Sequence, residues 1–134
     1  MAKKQNFFYA VGRRKSASAR VRLFKGKGEN LVNDLAAEKY FPGAVNKILL
    51  DRPFILTETL GKYYFTAKIV GSGKNGQLQA LIHGVARTLS LADREKFRSP
   101  LKKAELLTRD PRERERRMVG TGGKARRAKQ SPKR

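Results

Sequence analysis

The sequence predicts an α+β fold: a small sheet of about four strands with helices packed on it, and an extended basic C-terminal tail. Three observations predict it. Ala17, Ala19, Val21 and Leu23 alternate with Ser16, Ser18, Arg20 and Arg22, and Tyr63, Phe65, Ala67 and Ile69 repeat the period of two further on. Between Leu78 and Leu89 the apolar residues fall instead at intervals of three and four, one stripe of a helix. Beyond Thr108 they nearly vanish, leaving Met118, Val119, Ala125 and Ala128, too few to build a core. Residues 1–107 are therefore expected to be a globular body and 108–134 a tail.

Taken in order, Phe7 to Phe24 reads as strand, with one apolar and one cationic face. Lys25 to Gly28 is a glycine-rich turn, after which Glu29 to Val32 can return as a hairpin partner. Asn33 is placed to cap a helix over Asp34 to Phe41, which Pro42-Gly43 breaks. A second short helix is expected from Ala44 to Leu50, stopping before Pro53. Lys62 to Gly71 is a strand of β-forming residues. The loop GSGKNGQ, Gly71 to Gln77, leads into the long helix, with Asn75 as its cap and Leu78, Leu81, Ile82, Val85, Ala86 and Leu89 turned towards the sheet. Ser99-Pro100 is expected to restart a shorter helix to about Leu107.

Composition narrows the function. The chain has 134 residues, no cysteine, no tryptophan and one histidine, which excludes disulfides, thiolate metal sites, cysteine nucleophiles and any site needing two imidazoles. No apolar run approaches the roughly 20 residues of a membrane span, and no signal-peptide pattern is visible, so a soluble, non-secreted protein is expected. Its 32 basic residues against 11 acidic ones leave a net charge of +21, a self-repulsion that a polyanion relieves. Residues 1–28 hold nine Lys/Arg and no acid, the middle to 107 is near balance, and the tail holds eleven bases against three acids. A folded body with cationic ends fits RNA or DNA better than a membrane surface.

Of the motifs, GSGKNGQ suits an anion, since glycines let backbone amides approach it and a helix start follows. It is not a Walker A motif, because Lys68 and Asn75 stand where glycine and Ser/Thr are required. It reads as either a flexible turn or a cradle for an RNA phosphate with Lys74. In GRRKSASARVR, Gly12 to Arg22, same-face residues of a strand lie about 6.7 Å apart, close to the spacing of successive phosphates. Arg14, Arg20 and Arg22 can then present guanidinium forks to a nucleic-acid backbone. Tyr9, Tyr63 and Tyr64 suit either base stacking or the core. His83 reads as a lone surface histidine on the polar side of the helix. Gly84 inside so regular a helix suggests a close backbone approach.

Three segments together resemble the small-subunit ribosomal protein number nine family, of bacterial or organellar type. They are GRRKSASARVRLFKGKG, the glycine loop with GQLQALIHGVARTL, and LLTRDPRERERRMVGTGGKARRAKQSPKR. The resemblance runs over nearly the whole chain in the same order. It implies a domain related to the second domain of ribosomal protein number five, seated on ribosomal RNA in the head of the small subunit. It also implies a tail whose tip approaches the anticodon stem-loop of peptidyl-site tRNA.

Matched residue by residue, Arg13, Arg14, Lys15, Arg20 and Arg22 correspond to the family's basic strand motif, and Gly71, Gly73, Gly76 and Gln77, with Lys74 among them, to its glycine loop. Arg109, Asp110, Arg112, Glu115, Arg116 and Arg117 match its TRDxRxxER stretch. Lys124, Ala125, Arg126, Arg127, Gln130, Lys133 and Arg134 fall on its tail, with Lys133 and Arg134 nearest the tRNA. Ser131 and Pro132 depart from the family, which carries an aromatic residue and then serine there.

The implied function is structural: binding of small-subunit ribosomal RNA and peptidyl-site tRNA beside neighbouring head proteins, on a cytoplasmic or organellar ribosome, with no enzymatic activity, cofactor, metal or membrane. Two rival classes share features of the sequence. An architectural DNA-binding protein shares the charge, and a small nucleotide-dependent enzyme would use the glycine loop.

Overall fold

Ala17, Ala19, Val21 and Leu23 are all buried, and the elements assemble around the row they form. The computed structural model of the chain describes residues 7–116, 118 and 119. In order they form β1 (Phe7–Arg14), β2 (Ala17–Lys25), β3 (Leu31–Val32), β4 (Leu35–Ala36), α1 (Ala37–Tyr40), α2 (Ala44–Leu56), β5 (Tyr63–Val70), α3 (Lys74–Ala92) and α4 (Arg94–Lys103). The sheet has the order β1-β2-β5-β3-β4. β3 runs parallel to β5 and the other neighbours are antiparallel. The fold is α+β as expected, with five strands, two of which are only two residues long. Among the described residues no helix is long and apolar enough to cross a membrane.

The register Leu23↔Phe65, Val21↔Ala67 and Ala19↔Ile69 puts the apolar sets of β2 and β5 on one face. α3 lies over that face with Leu78, Leu81, Val85, Ala86 and Leu89 buried. Each such leucine removed from water contributes about 1.5–3 kcal/mol. α2 and α4 flank α3 on the same side, through Leu50, Pro53 and Phe54 and through Phe97 and Leu101.

Several expectations are corrected. Phe7 to Phe24 is a hairpin rather than one strand, closed at Lys15-Ser16 with Lys15 at φ 52°. The turn is hidden in the sequence because Phe7, Tyr9 and Val11 continue the odd-numbered apolar alternation, although in β1 it is Ala10, Gly12 and Arg14 that face the helices. Glu29 to Val32 supplies β3 but does not pair with β2, whose second edge β5 occupies. Asn33 caps no helix. It and Asp34 take positive φ in the turn to β4, and the Asn33 amide prolongs the sheet by accepting from Ile69 N at 2.9 Å and donating to Ile69 O at 3.1 Å.

α2 continues through Pro53 to Leu56, forgoing one backbone hydrogen bond while the proline ring is buried in the core. Gly73, not Asn75, precedes the first helical residue of α3, and Gln77 N closes the turn on Gly73 O. α4 starts at Arg94, where Asp93 accepts from Lys96 N at 3.2 Å, and it contains Pro100 rather than beginning beside it. A carboxylate at that end and Lys102 and Lys103 at the other suit the helix dipole.

Candidate nucleic-acid interface

The helices cover one face of the sheet and leave the other open. Strand alternation places Tyr9, Val11 and Arg13 of β1, Ser18, Arg20 and Arg22 of β2, and Thr66 and Lys68 of β5 on that open face. Their register is Tyr9↔Arg22↔Thr66 and Val11↔Arg20↔Lys68. Arg20, Arg22 and Lys68 thus stand together over a shallow trough of about 540 Å³ that Phe7, Tyr9, Leu31, Asp34 and Thr66 also line. Among the described residues no carboxylate is paired with any of the three. The Arg22 guanidinium lies 5.3 Å from the centre of the Phe7 ring, which leaves its edge free to donate. Below it Phe7, Phe24 and Tyr64 form an aromatic row across three strands, with ring centres 5.7 and 5.1 Å apart. Tyr9 is exposed, whereas Tyr63 turns the other way and meets Phe97 edge-on.

Sequence reasoning did not single out Lys68. The signal was present, since Lys68 alternates with Ala67 and Ile69, but it becomes informative only once β5 is paired in register with β2.

At one end of the sheet the β1–β2 turn, with exposed Lys15, meets the glycine turn. Gly71 has φ +83°, and a side chain there would collide with Ser16 O. Gly73 and Lys74 open α3 beside it, and a Cβ on buried Gly76 would lie 2.5 Å from Ser72 Oγ. Two of the side chains expected here are engaged internally. Lys74 Nζ sits 3.3 Å from the centre of the Tyr40 ring and donates to Tyr40 O. Gln77 donates to Gly71 O at 3.0 Å and accepts from the Tyr40 hydroxyl at 2.7 Å.

Arg14 departs furthest from expectation. Alternation turns it away from Arg20 and Arg22 to the helix side, where it is buried. There it donates to Gln79 of α3 and to Arg112 O, and pairs with Asp110 at 2.7 Å. Arg112 in turn grips Asp110 through its backbone N–H and its guanidinium. Those hydrogen bonds, with Arg14 adding to them, hold the Asp110 carboxyl well below the usual carboxylate range.

His83 also belongs to this cluster and is not a lone surface group. Its Nδ1 accepts from Arg13 N at 3.4 Å, so Nε2 carries the proton and donates to Leu107 O at 3.2 Å. Burial lowers its pKa below 6.5, opposed by the Leu107 bond and assisted by Arg87 and Arg109. Gln79, His83 and Arg14 therefore tie residues 107–112 to β1 and α3. Arg109, Arg112 and Arg116 are exposed. Arg117, Lys124, Arg126, Arg127, Lys133 and Arg134 lie outside the described residues. The family described as ribosomal protein S9/S16 matches residues 12–134 of the chain.

Proposed function

Because the chain belongs to the ribosomal protein S9/S16 family, and so has a structural role in the ribosome, we propose that it binds small-subunit ribosomal RNA in the head and reaches peptidyl-site tRNA with its C-terminal tail. The observation that carries the RNA reading is the open sheet face, where Arg20, Arg22 and Lys68 stand in adjacent registers without a carboxylate partner among the described residues. Cations held by strand geometry match a phosphate backbone, and such contacts position RNA without reading its sequence. In this reading Arg13, Lys15, Arg20 and Arg22 meet phosphates directly, and the turn of Gly71, Gly73, Lys74 and Gly76 offers backbone amides at the same end of the sheet. Arg14 and Gln77 act by position, holding residues 107–112 and the glycine turn. Arg109, Arg112, Arg116, Arg117, Lys124, Arg126 and Arg127 follow RNA along the tail, and Lys133 and Arg134 meet the tRNA stem.

The test uses full-length protein and small subunits rebuilt with it. Arg20→Ala with Arg22→Ala is expected to leave circular dichroism unchanged and to flatten the log–log salt dependence of binding to small-subunit RNA by about 1.4–1.8 units. An unchanged slope removes both from the interface. Deleting 124–134 is expected to leave subunit entry intact while weakening tRNA retention several-fold at low salt and less at high salt. Equal retention at low salt overturns the tRNA role. Preference for duplex DNA over structured RNA at matched salt would favour an architectural DNA-binding protein instead.

A further inference from the structure

α2 carries a surface that the proposed RNA contacts leave free. Along its outward side Ala44, Ile48, Asp51 and Ile55 follow one another at intervals of four, three and four, which makes a single seam on a helix. Val45 begins a parallel row with Arg52. Val45, Ile48 and Ile55 are 69%, 65% and 57% exposed. Singly they would need no explanation. They lie, however, beside a cavity of about 550 Å³ between α1, α2 and the sheet, with Ala37, Phe41, Leu50 and Phe65 as its apolar floor.

The rim of that cavity is acidic. Glu29, Glu38 and Asp51 line it with a single cation, Lys47, which reaches Glu38 at 3.4 Å. Neither Glu29 nor Asp51 has an ion-pair partner among the described residues. Three of the chain's 11 acids thus gather at one apolar opening of a molecule of charge +21. Burial and the charge of Glu38 raise the Asp51 pKa against the pull of Lys47, as expected where carboxylates outnumber cations. RNA phosphates are repelled from such a rim. α2 also packs on α3, on the side of the sheet away from the cationic face.

We infer that the α2 seam and the cavity beside it dock a basic segment of a neighbouring small-subunit protein, whose aliphatic side chains cover Ile48 and Ile55 and whose Lys or Arg meets Glu29 and Asp51. Charge complementarity selects this occupant, since an apolar floor inside an acidic rim suits a cationic chain with aliphatic side chains and opposes a polyanion. The inference rests on the family reading, which supplies the ribosomal neighbourhood.

The test places the photocrosslinking residue benzoylphenylalanine at Ile48 in tagged full-length protein, incorporates it into purified small subunits, and maps the crosslinked peptide by mass spectrometry. A crosslink to one small-subunit protein, within a segment of net positive charge, is expected. Glu29→Lys with Asp51→Lys should cut its yield about five-fold or more, and Glu29→Gln with Asp51→Asn by less, at unchanged occupancy of the subunit. A cooperative thermal transition of each variant establishes that it folds. Crosslinks to RNA, to an acidic segment or to a second copy, or none in subunits that contain the chain, overturn the inference and leave the family reading standing. Absence of the wild-type chain from small subunits overturns both.

Discussion

Gly12 and Gly84 let the sheet and its covering helix approach closely. A Cβ on Gly12 would collide with Ala80 O and Gly84 N, and one on Gly84 would lie 2.7 Å from a Val21 methyl. No rotamer relieves the Gly12 clash with backbone, and Val21 is fully buried with little room to yield at Gly84, so α3 would have to lift from the sheet. Gly12→Ala and Gly84→Ala are each expected to destabilise by about 2–3 kcal/mol or more, although both replacements favour regular structure locally. Thermal melts check this, and a fall of less than a few degrees would contradict the packing.

His83 gives a second expectation at the same scale. Its folded pKa lies below its ordinary 6.5 because burial opposes the charged form, so the folded state binds the proton less readily than the unfolded chain. The contribution of neutral His83 is therefore whole above 6.5 and is lost as pH falls through that value towards the folded pKa. Between about pH 7.5 and about pH 5.5 wild type should lose stability and His83→Gln should lose less, since this is the only histidine in the chain.

Among the elements, the anchoring of residues 107–112 is the most specific construction. Arg14 leaves β1 on the helix side and binds Gln79, Asp110 and Arg112 O at once, so the direction in which the chain leaves α4 is set by the first strand. Arg14→Ala should free residues 107–112 while β1 stays paired to β2. Limited trypsin digestion should then cut faster after Arg109 and Arg112 than in wild type, with the melting transition still cooperative. Equal cutting rates would mean that this segment is held by other contacts.

Elements with one strong period were legible in the sequence, and those set by distant partners were not. β5 and α3 alternate or repeat without interruption, and both lie where expected. The β1–β2 turn escaped notice because Lys15-Ser16 contains no glycine and because β1 points its larger apolar residues at solvent. β3 and β4 are two residues each, too short for any period, and depend on pairing with β5. Pro53 and Pro100 suggested boundaries, yet each sits inside a helix whose packing outweighs one missing hydrogen bond. At the candidate interface Arg20 and Arg22 lie on the open face as read, whereas the inward turn of Arg14 followed from the hidden hairpin.

For the molecule as a whole, sidedness is the governing feature: cations on the bare sheet face, apolar and acidic groups around α2. A net charge of +21 opposes compaction, and salt screens it. Raising NaCl from about 0.05 M to about 0.5 M should therefore raise the melting temperature of the isolated chain while weakening its binding to RNA. A melting temperature that falls with salt would show that ion pairs outweigh self-repulsion.

The same geometry guards the molecule against its own kind. β1 ends the sheet, and an end strand presents unpaired amides and carbonyls on which another chain can build. Here α3 fills that margin from above: His83 takes the Arg13 N–H, and Arg87, one turn later, donates to the Val11 carbonyl. At the opposite margin β4 is too short to template anything. His83, which the sequence suggests is a lone surface group, and Arg87 beside it thus seal the β1 edge against aggregation. His83→Ala with Arg87→Ala should leave the fold in place yet increase light scattering at micromolar concentration, and acidification, which protonates the acceptor on His83, should partly reproduce it in the wild type.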